Sequence, residues 1–208
     1  MLHEKIKQAT ASLHDKLEQN MFVGQIMDGS LTFEQYLIIL HLNYGIHLAV
    51  EGFLFGGLSS ELQHKLDIPN RIKLPALIKD LEEINTSMSS DIEGPPPNYI
   101  DLSSDASILG AMYVLEGATL GGNVIVKRLK TNEHLQPRNL NYHYYQVYGD
   151  QLGPKWKQFL EVLNDIPEAE HQAAINSAVR LFEQMASSRG AVKTVTVTLT
   201  PPPPPVGL

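Results

Sequence analysis

Cysteine is absent from the 208-residue chain. Its absence excludes disulfide bonds, thiolate metal sites and cysteine nucleophiles. An excess of basic residues is also missing: 16 Lys and Arg stand against 23 Asp and Glu, a net charge of -7, which argues against nucleic-acid binding. The first ten residues contain no apolar core of the signal-peptide type. We therefore expect a cytoplasmic protein that binds neither nucleic acid nor a membrane.

The apolar residues that are present indicate a helical fold. They make up 43% of the chain, against 19% charged residues, which is ordinary for a globular protein with a core. They recur at intervals of three and four residues, the period of an α-helix that buries one face. The pattern predicts an all-α, single-domain multi-helix bundle over residues 1–187 and an atypical tail, residues 188–208, outside the fold. The predicted helices cover residues 2–20, 32–55, 71–85, 105–130, 138–149, 155–164 and 167–187.

The helix predicted over residues 105–130 is unusual in its glycines. Gly110, Gly117 and Gly121 fall on one helical face, although each glycine in a helix interior costs about 1 kcal/mol relative to alanine. Such a bare face suits either a flat ligand or a closely packed second helix, and spacing alone leaves both open. A membrane span is disfavoured because Glu116 would lie in hydrocarbon.

The first predicted helix carries a histidine and a lysine on nearly the same side. His14 lies at the edge of the apolar stripe, and Lys7 lies two turns earlier, roughly 10 Å along the axis. A metal ligand and a cation at that offset suit one ligand with a metal centre and an acidic edge. The alternative is that His14 is an ordinary half-buried boundary residue. On the second predicted helix, His47 and Glu51 are one turn apart, a spacing that allows them to pair; the two alternatives are a satisfied polar pair and two exposed residues.

Other catalytic arrangements find no support in the sequence. A phosphate-binding glycine loop and a nucleophile elbow are both missing. A di-iron bundle needs Glu-x-x-His motifs and further glutamates that face the interior of the bundle, whereas the motif from Glu168 to His171 lies at a polar helix start.

Four segments make the chain similar to the haem oxygenase family, and most closely to its bacterial branch associated with bacteriophytochromes. They keep the family's order and spacing over residues 2–186. The segments are ATASLHDKLE (residues 9–18), RIKLPALIKDL (71–81), LGAMYVLEGATLGG (109–122) and YGDQLGPKWKQFL (148–160).

The resemblance implies a haem sandwiched between the first helix and a kinked glycine-rich distal helix. By motif position, His14 resembles the proximal ligand of the haem iron. The distal glycines whose backbone would approach the open face of the haem are Gly117, Gly121 and Gly122. The haem propionates are anionic, and their implied partners are Lys7 and, as a second candidate, Lys157.

The resemblance also implies the reaction. Haem would be both cofactor and substrate, and O2 with an external electron donor would cleave it to biliverdin, CO and ferrous iron. The implied partners are a ferredoxin, a flavodoxin or a reductase as donor, and a bacteriophytochrome that receives biliverdin.

One departure from the family motivates an alternative function. Animal-type members carry an aspartate just after the first distal glycine, and this chain has Ala118 there. The hydroxyl of Thr119 is the candidate substitute. The alternatives are a non-catalytic haem-binding protein for storage, sensing or delivery, a thiamin-salvage enzyme of the same fold, and a helical module without a ligand. The thiamin-salvage enzymes use an active-site cysteine, which this chain lacks.

Overall fold

The computed structural model describes residues 1–86 and 94–187. The regular secondary structure of these residues is helical, which confirms the predicted all-α fold. Part of the connection between α5 and α6, and the predicted tail, lie outside the described residues. The α-helices are α1 Leu2–Asn20, α2 Val23–Asp28, α3 Phe33–Gly57, α4 Ser60–Leu66, α5 Leu74–Glu82, α6 Asp105–Gly117, α7 Gly122–Thr131, α8 Leu152–Asn164 and α9 His171–Ser187.

Local signals set the starts of the two central helices. Thr32 precedes α3 and forms the predicted capping box with Gln35: the Gln35 N–H donates to Thr32 Oγ1 at 3.3 Å, and the Thr32 N–H donates to Gln35 Oε1 at 2.9 Å. Ser104 precedes α6, and its hydroxyl accepts from the Ser107 N–H at 3.1 Å. Each side chain satisfies a backbone donor that the first helical turn leaves unpaired.

Several helix predictions were wrong in their boundaries. α8 begins at Leu152 instead of residue 155, and α9 begins at His171 instead of residue 167, after a short 3₁₀ turn. α5 begins at Leu74 instead of residue 71, because Pro75 takes a first-turn position, where its missing N–H carries no penalty. The helix predicted over residues 138–149 is reduced to short 3₁₀ turns. Asn139 and Tyr142 there adopt φ values of 51° and 59°, a left-handed conformation that interrupts a right-handed helix. The short helices α2 and α4 were missed.

α6 is the central helix, and one of its glycines explains how closely it packs against α9. A Cβ added at Gly110 would lie 2.0 Å from the backbone carbonyl oxygen of Ala174. No other residue allows the two backbones to approach this closely. Gly110 therefore serves helix–helix packing, the second of the two explanations considered for the glycine face.

Within the part of the chain that the structure describes, two stretches are long and apolar enough to cross a membrane by length and composition alone. They are Phe33–Gly57 and Asp105–Thr131, and in each 61% of the most apolar window is buried inside the fold. Core helices of a globular protein pass the same test, so burial against the other helices accounts for their apolar character.

Candidate functional site

The predicted helix over residues 105–130 is interrupted where its glycines cluster. α6 ends at Gly117 and α7 begins at Gly122. In residues 117–122, which we call the glycine turn, hydrogen bonds span three residues. The Leu120 N–H donates to the Gly117 carbonyl at 3.1 Å, and the Gly122 N–H donates to the Thr119 carbonyl at 2.9 Å. The single continuous helix was wrong, whereas the interruption agrees with the kink implied by the resemblance.

The glycine turn forms one wall of a cavity of about 400 Å³. The cavity lies between α1, α2, α3, the glycine turn and α9, and its wall is mostly apolar. A smaller cavity of about 150 Å³ adjoins it and shares His14, Leu17, Gly117, Ala118 and Met185. The larger volume is within the range of small-molecule binding sites.

His14 lines both cavities from the opposite side. Its side chain is 56% exposed, and its Nδ1 lies 3.7 Å from Glu18 Oε1, beyond hydrogen-bonding distance. The ring lies 6.1 Å from the Phe182 ring, so it packs loosely against α9. Its ring nitrogens are therefore not tied into the helical bundle, and the imidazole is accessible as a ligand.

Of the predicted distal residues, two glycines line the cavity and Thr119 does not. Gly117 and Gly121 both line the cavity. A Cβ at Gly117 would meet no atom within 4 Å, and one at Gly121 would meet the flexible end of Ile125 at 3.3 Å. Thr119 is buried and donates its hydroxyl to the Glu116 carbonyl at 3.1 Å. The structure does not place its hydroxyl in the cavity wall.

Gly122, which was predicted to face the haem, does not line the cavity. It is buried, and a Cβ there would lie 2.2 Å from the Tyr145 carbonyl oxygen. Its lack of a side chain therefore allows two backbone segments to touch behind the cavity wall. Sequence position alone could not distinguish it from Gly121, the adjacent glycine.

The two lysines predicted to bind an acidic edge are both exposed and outside the cavity wall. Lys7 lies two turns before His14 on the solvent side of α1. The Lys157 side chain is 81% exposed, and its Nζ lies 3.9 Å from Glu161. The structure thus places neither amine beside His14.

Asn43 is a cavity residue that the sequence interpretation missed. It lies on α3, is only 2% exposed and lines the larger cavity. One of its amide N–H groups donates to the Ile39 carbonyl at 3.0 Å. A polar residue inside a largely apolar helix was the available signal, because buried amides are kept where they have a hydrogen-bonding role.

A buried ionic cluster lies behind the end of α6 and was also missed. The Glu116 carboxylate lies 2.6 Å from Arg71 Nη1 and 2.6 Å from Lys73 Nζ, and the Tyr148 hydroxyl lies 2.9 Å from each of its oxygens. Burial raises the pKa of Glu116, but the lysine and arginine charges lower it more, so its pKa lies below the ordinary value. The cluster joins three of the four segments that carry the family resemblance.

His47 and Glu51 pair, the first of the two alternatives, and their role is structural. Glu51 binds His47 Nδ1 through one oxygen, and its other oxygen accepts the Lys73 N–H at 2.6 Å. The His47 Nε2 lies 3.2 Å from the Tyr144 hydroxyl. A carboxylate on the first backbone N–H groups of α5 stabilises that helix start.

A second buried carboxylate, Asp80, holds the chain after the left-handed residues. Its Oδ1 accepts the His143 N–H at 2.6 Å, and its Oδ2 accepts the Tyr144 N–H at 2.9 Å. Burial raises the pKa of Asp80 to about 6, despite these two bonds and the nearby His143, which lower it.

The raised pKa of Asp80 makes the stability of the protein depend on pH in a way that can be tested. Because the pKa in the folded protein exceeds the ordinary 3.8, the contribution of Asp80 is fully present below about pH 4 and is lost as the pH rises through about 6. The difference in unfolding free energy between the wild type and Asp80→Asn should fall by up to about 3 kcal/mol across that window. Urea unfolding at several pH values measures it. Glu82→Gln, on the exposed face of the same helix, should show no such slope; a flat profile for Asp80→Asn would contradict the assignment.

The fold and the cavity together define a class: a helical protein with an accessible imidazole on one side of an apolar cavity and bare glycine backbone on the other. A family model for Heme oxygenase matches residues 1–187. The chain belongs to the heme oxygenase family. The bacteriophytochrome-associated branch remains a prediction.

Two relatives agree with this assignment. A protein of Xanthomonas campestris pv. campestris (strain 8004), described as Heme oxygenase, is 33% identical over 93 residues, which are 45% of this chain and 51% of the relative. The chain thus spans about half the length of the curated relative it matches. The heme oxygenase of Neisseria meningitidis, known from crystal structures with NO and CO bound, shares the fold with a TM-score of 0.69 at 19% identity over 100% of this chain and 99% of that one.

Proposed function

We propose that the protein is a haem oxygenase that cleaves haem oxidatively to biliverdin, CO and ferrous iron with O2 and external electrons. The observation that carries the proposal is the cavity itself. It lies between His14 on α1 and Gly117 on the glycine turn, and it is not filled by packed side chains. Family membership and the fold support the same reaction.

The residues present fit a haem. An apolar wall suits the porphyrin plane, and an accessible neutral imidazole suits its iron. At Gly117 the space that a side chain would fill is open, so a ligand can lie against backbone there. When bound, the haem supplies the iron that activates dioxygen, and the protein supplies orientation and electrostatics.

Each wall would contribute a different function. His14 would hold the iron from one side and fix the depth of the porphyrin. Gly117 and Gly121 would leave the other side open to a diatomic molecule and bring polar backbone groups close to it. Asn43 would hold water in the cavity through its amide, and water-mediated hydrogen bonds are nearly as favourable as direct ones. Such water would supply protons to the site. In animal-type members an aspartate organises this water, and this chain has Ala118 at that position.

The proposal also names partners. The reaction needs electrons, which we assign to a ferredoxin, a flavodoxin or a reductase in the cytoplasm, and a bacteriophytochrome is the proposed acceptor of biliverdin. Lys7 and Lys157 remain proposed partners of the propionates, and they would need propionates that extend beyond the cavity to the surface. Exposed lysines of this kind contribute little to binding.

A single-turnover experiment tests the function. Purified protein with one equivalent of hemin is supplied with ascorbate or a reductase in air, and the absorption spectrum is followed. Loss of the Soret band with growth of a biliverdin band is expected. A stable haem complex under these conditions would instead support the second candidate, a haem-binding protein that does not cleave haem, which Ala118 favours.

Gly117→Leu provides a sharper test of the open wall. The added side chain projects into the space that is open at Gly117, so the face opposite His14 should be blocked. Steric overlap of this kind typically costs about 1–3 kcal/mol, which predicts turnover lowered by about 5-fold to 150-fold, while hemin still gives a histidine-ligated spectrum. Gly45→Leu, the same change at an exposed α3 glycine with no atom near its Cβ position, should keep wild-type turnover. Equal turnover in both variants would show that the ligand does not approach the glycine turn.

A further inference from the structure

One short segment, residues 143–148, contacts both ends of the glycine turn; we call it the brace. At the α7 end, its backbone lies so close to Gly122 that a Cβ there would be 2.2 Å from the Tyr145 carbonyl oxygen. At the α6 end, the Tyr148 hydroxyl donates to the Glu116 carboxylate and lies 2.9 Å from both oxygens. Glu116 directly precedes the glycine turn and Gly122 is its last residue, so the brace spans the turn from behind.

The brace is itself held by the core on its other side. Asp80 on α5 accepts the first two backbone N–H groups of the brace, those of His143 and Tyr144, at 2.6 and 2.9 Å. The Tyr144 hydroxyl lies 3.2 Å from His47 Nε2 on α3. The brace is therefore fixed to α3 and α5 by hydrogen bonds. These bonds are separate from its contacts with Glu116 and Gly122.

The brace also contributes directly to the cavity, because Tyr145 lines it. Tyr145 is buried and packs edge-on against Tyr144, with ring centroids 5.2 Å apart. Close-packed interiors transmit displacements instead of absorbing them. A shift of the brace would move the glycine turn and this wall residue together.

We infer that the brace positions the glycine turn relative to His14 through two contacts, the Tyr148 hydroxyl on Glu116 at one end and the Tyr145 backbone against Gly122 at the other. The inference rests on the proposed function, since it concerns the width of the gap that receives a porphyrin. Tyr148 is a positioning residue: it acts through Glu116 and is not a residue of the larger cavity wall.

Tyr148→Phe isolates this contact. The variant removes one hydroxyl and leaves Glu116 paired with Arg71 and Lys73, so no buried ion pair is broken and the fold should persist. The matched control is Tyr99→Phe, which removes the hydroxyl of a half-buried tyrosine that packs against the core away from the brace.

The first measurement uses the ligand-free full chain. Hydrogen–deuterium exchange should be about tenfold faster over the glycine turn, whose N–H groups of Leu120 and Gly122 are bonded within it, while α9 keeps wild-type protection. A hydrogen bond to a charged group is of a size to produce such a change. Uniform acceleration across α6 and α9, or none in the glycine turn, would overturn the inference.

The second measurement uses the loaded protein. Protoporphyrin IX, which lacks iron, should bind Tyr148→Phe several-fold more weakly than the wild type. The hemin complex, reduced under CO, should show a shifted or broadened C–O stretching band with His14 ligation retained. Tyr99→Phe should match the wild type in both. An unchanged CO band and unchanged porphyrin affinity in Tyr148→Phe would overturn the inference.

The two measurements distinguish failure of the proposed function from failure of the inference about the brace. If the wild type binds no porphyrin, the proposed function fails, and the exchange experiment still decides whether the brace fixes the turn. If Tyr148→Phe does not fold, Gly122→Ala replaces it. Its Cβ pushes the Tyr145 carbonyl away, so it should give the same local acceleration of exchange; wild-type exchange in that variant would equally overturn the inference.

Discussion

Replacing His14 with alanine should remove the histidine-ligated spectrum of the hemin complex and abolish turnover. The imidazole is exposed at the cavity and bonded to no core residue, so its loss should leave the fold intact while it removes the iron ligand on that side. Hemin should then bind without an iron ligand on that side, through non-directional apolar contacts and the weak pairing of its propionates with exposed lysines. Titration with hemin, followed by Soret position and by resonance Raman detection of the iron–histidine vibration, measures the effect.

The matched control is His64→Ala, which removes an exposed histidine on α4 that does not line the cavity. It should keep the wild-type Soret band and affinity. If His14→Ala also kept them, another residue would ligate the iron and the site assignment would fail. Adding imidazole should restore ligation in His14→Ala, because the freed space lies at an open cavity.

The largest effect on stability is expected for Glu116→Gln. The substitution keeps the size of the side chain and removes its charge. Arg71 and Lys73, both fully buried, would then lie in the interior without a counter-charge. Breaking a buried pair in this way typically costs about 3–5 kcal/mol, a large share of the stability of a domain. Urea unfolding followed by circular dichroism gives the free energy directly.

Glu161→Gln is the comparison for this experiment. Glu161 is exposed and lies 3.9 Å from Lys157, and exposed pairs contribute at most about 1 kcal/mol. A loss of less than about 1 kcal/mol for Glu116→Gln would mean that the two cations find solvent or other acceptors. Arg71 already bonds the Leu66 and Lys155 carbonyls, so the double variant with Lys73→Met should recover part of the loss.

Much of the helical framework could be predicted because its signals are local. α1 matches its predicted limits, residues 2–20, and the Thr32 capping box begins α3 as expected. The prediction of a helix over residues 138–149 failed because the surroundings set the backbone conformation there. Tyr142 takes a left-handed φ that tyrosine rarely adopts. Its buried ring packs edge-on against Tyr36 at 5.6 Å, and no local pattern encodes such a contact.

The sequence by itself determined the all-α class, the position of His14 at the edge of a helix face and the family, because periodicity, caps and motifs are properties of neighbouring residues. Only the tertiary structure decided which glycine meets which neighbour. On one helical face Gly110 packs against α9 while Gly117 faces a cavity, and a helical wheel describes angles within one helix but not what surrounds it. The cationic partners of Glu116 lie 43 and 45 residues away along the chain, so the buried charge cluster exists only once the helices have packed.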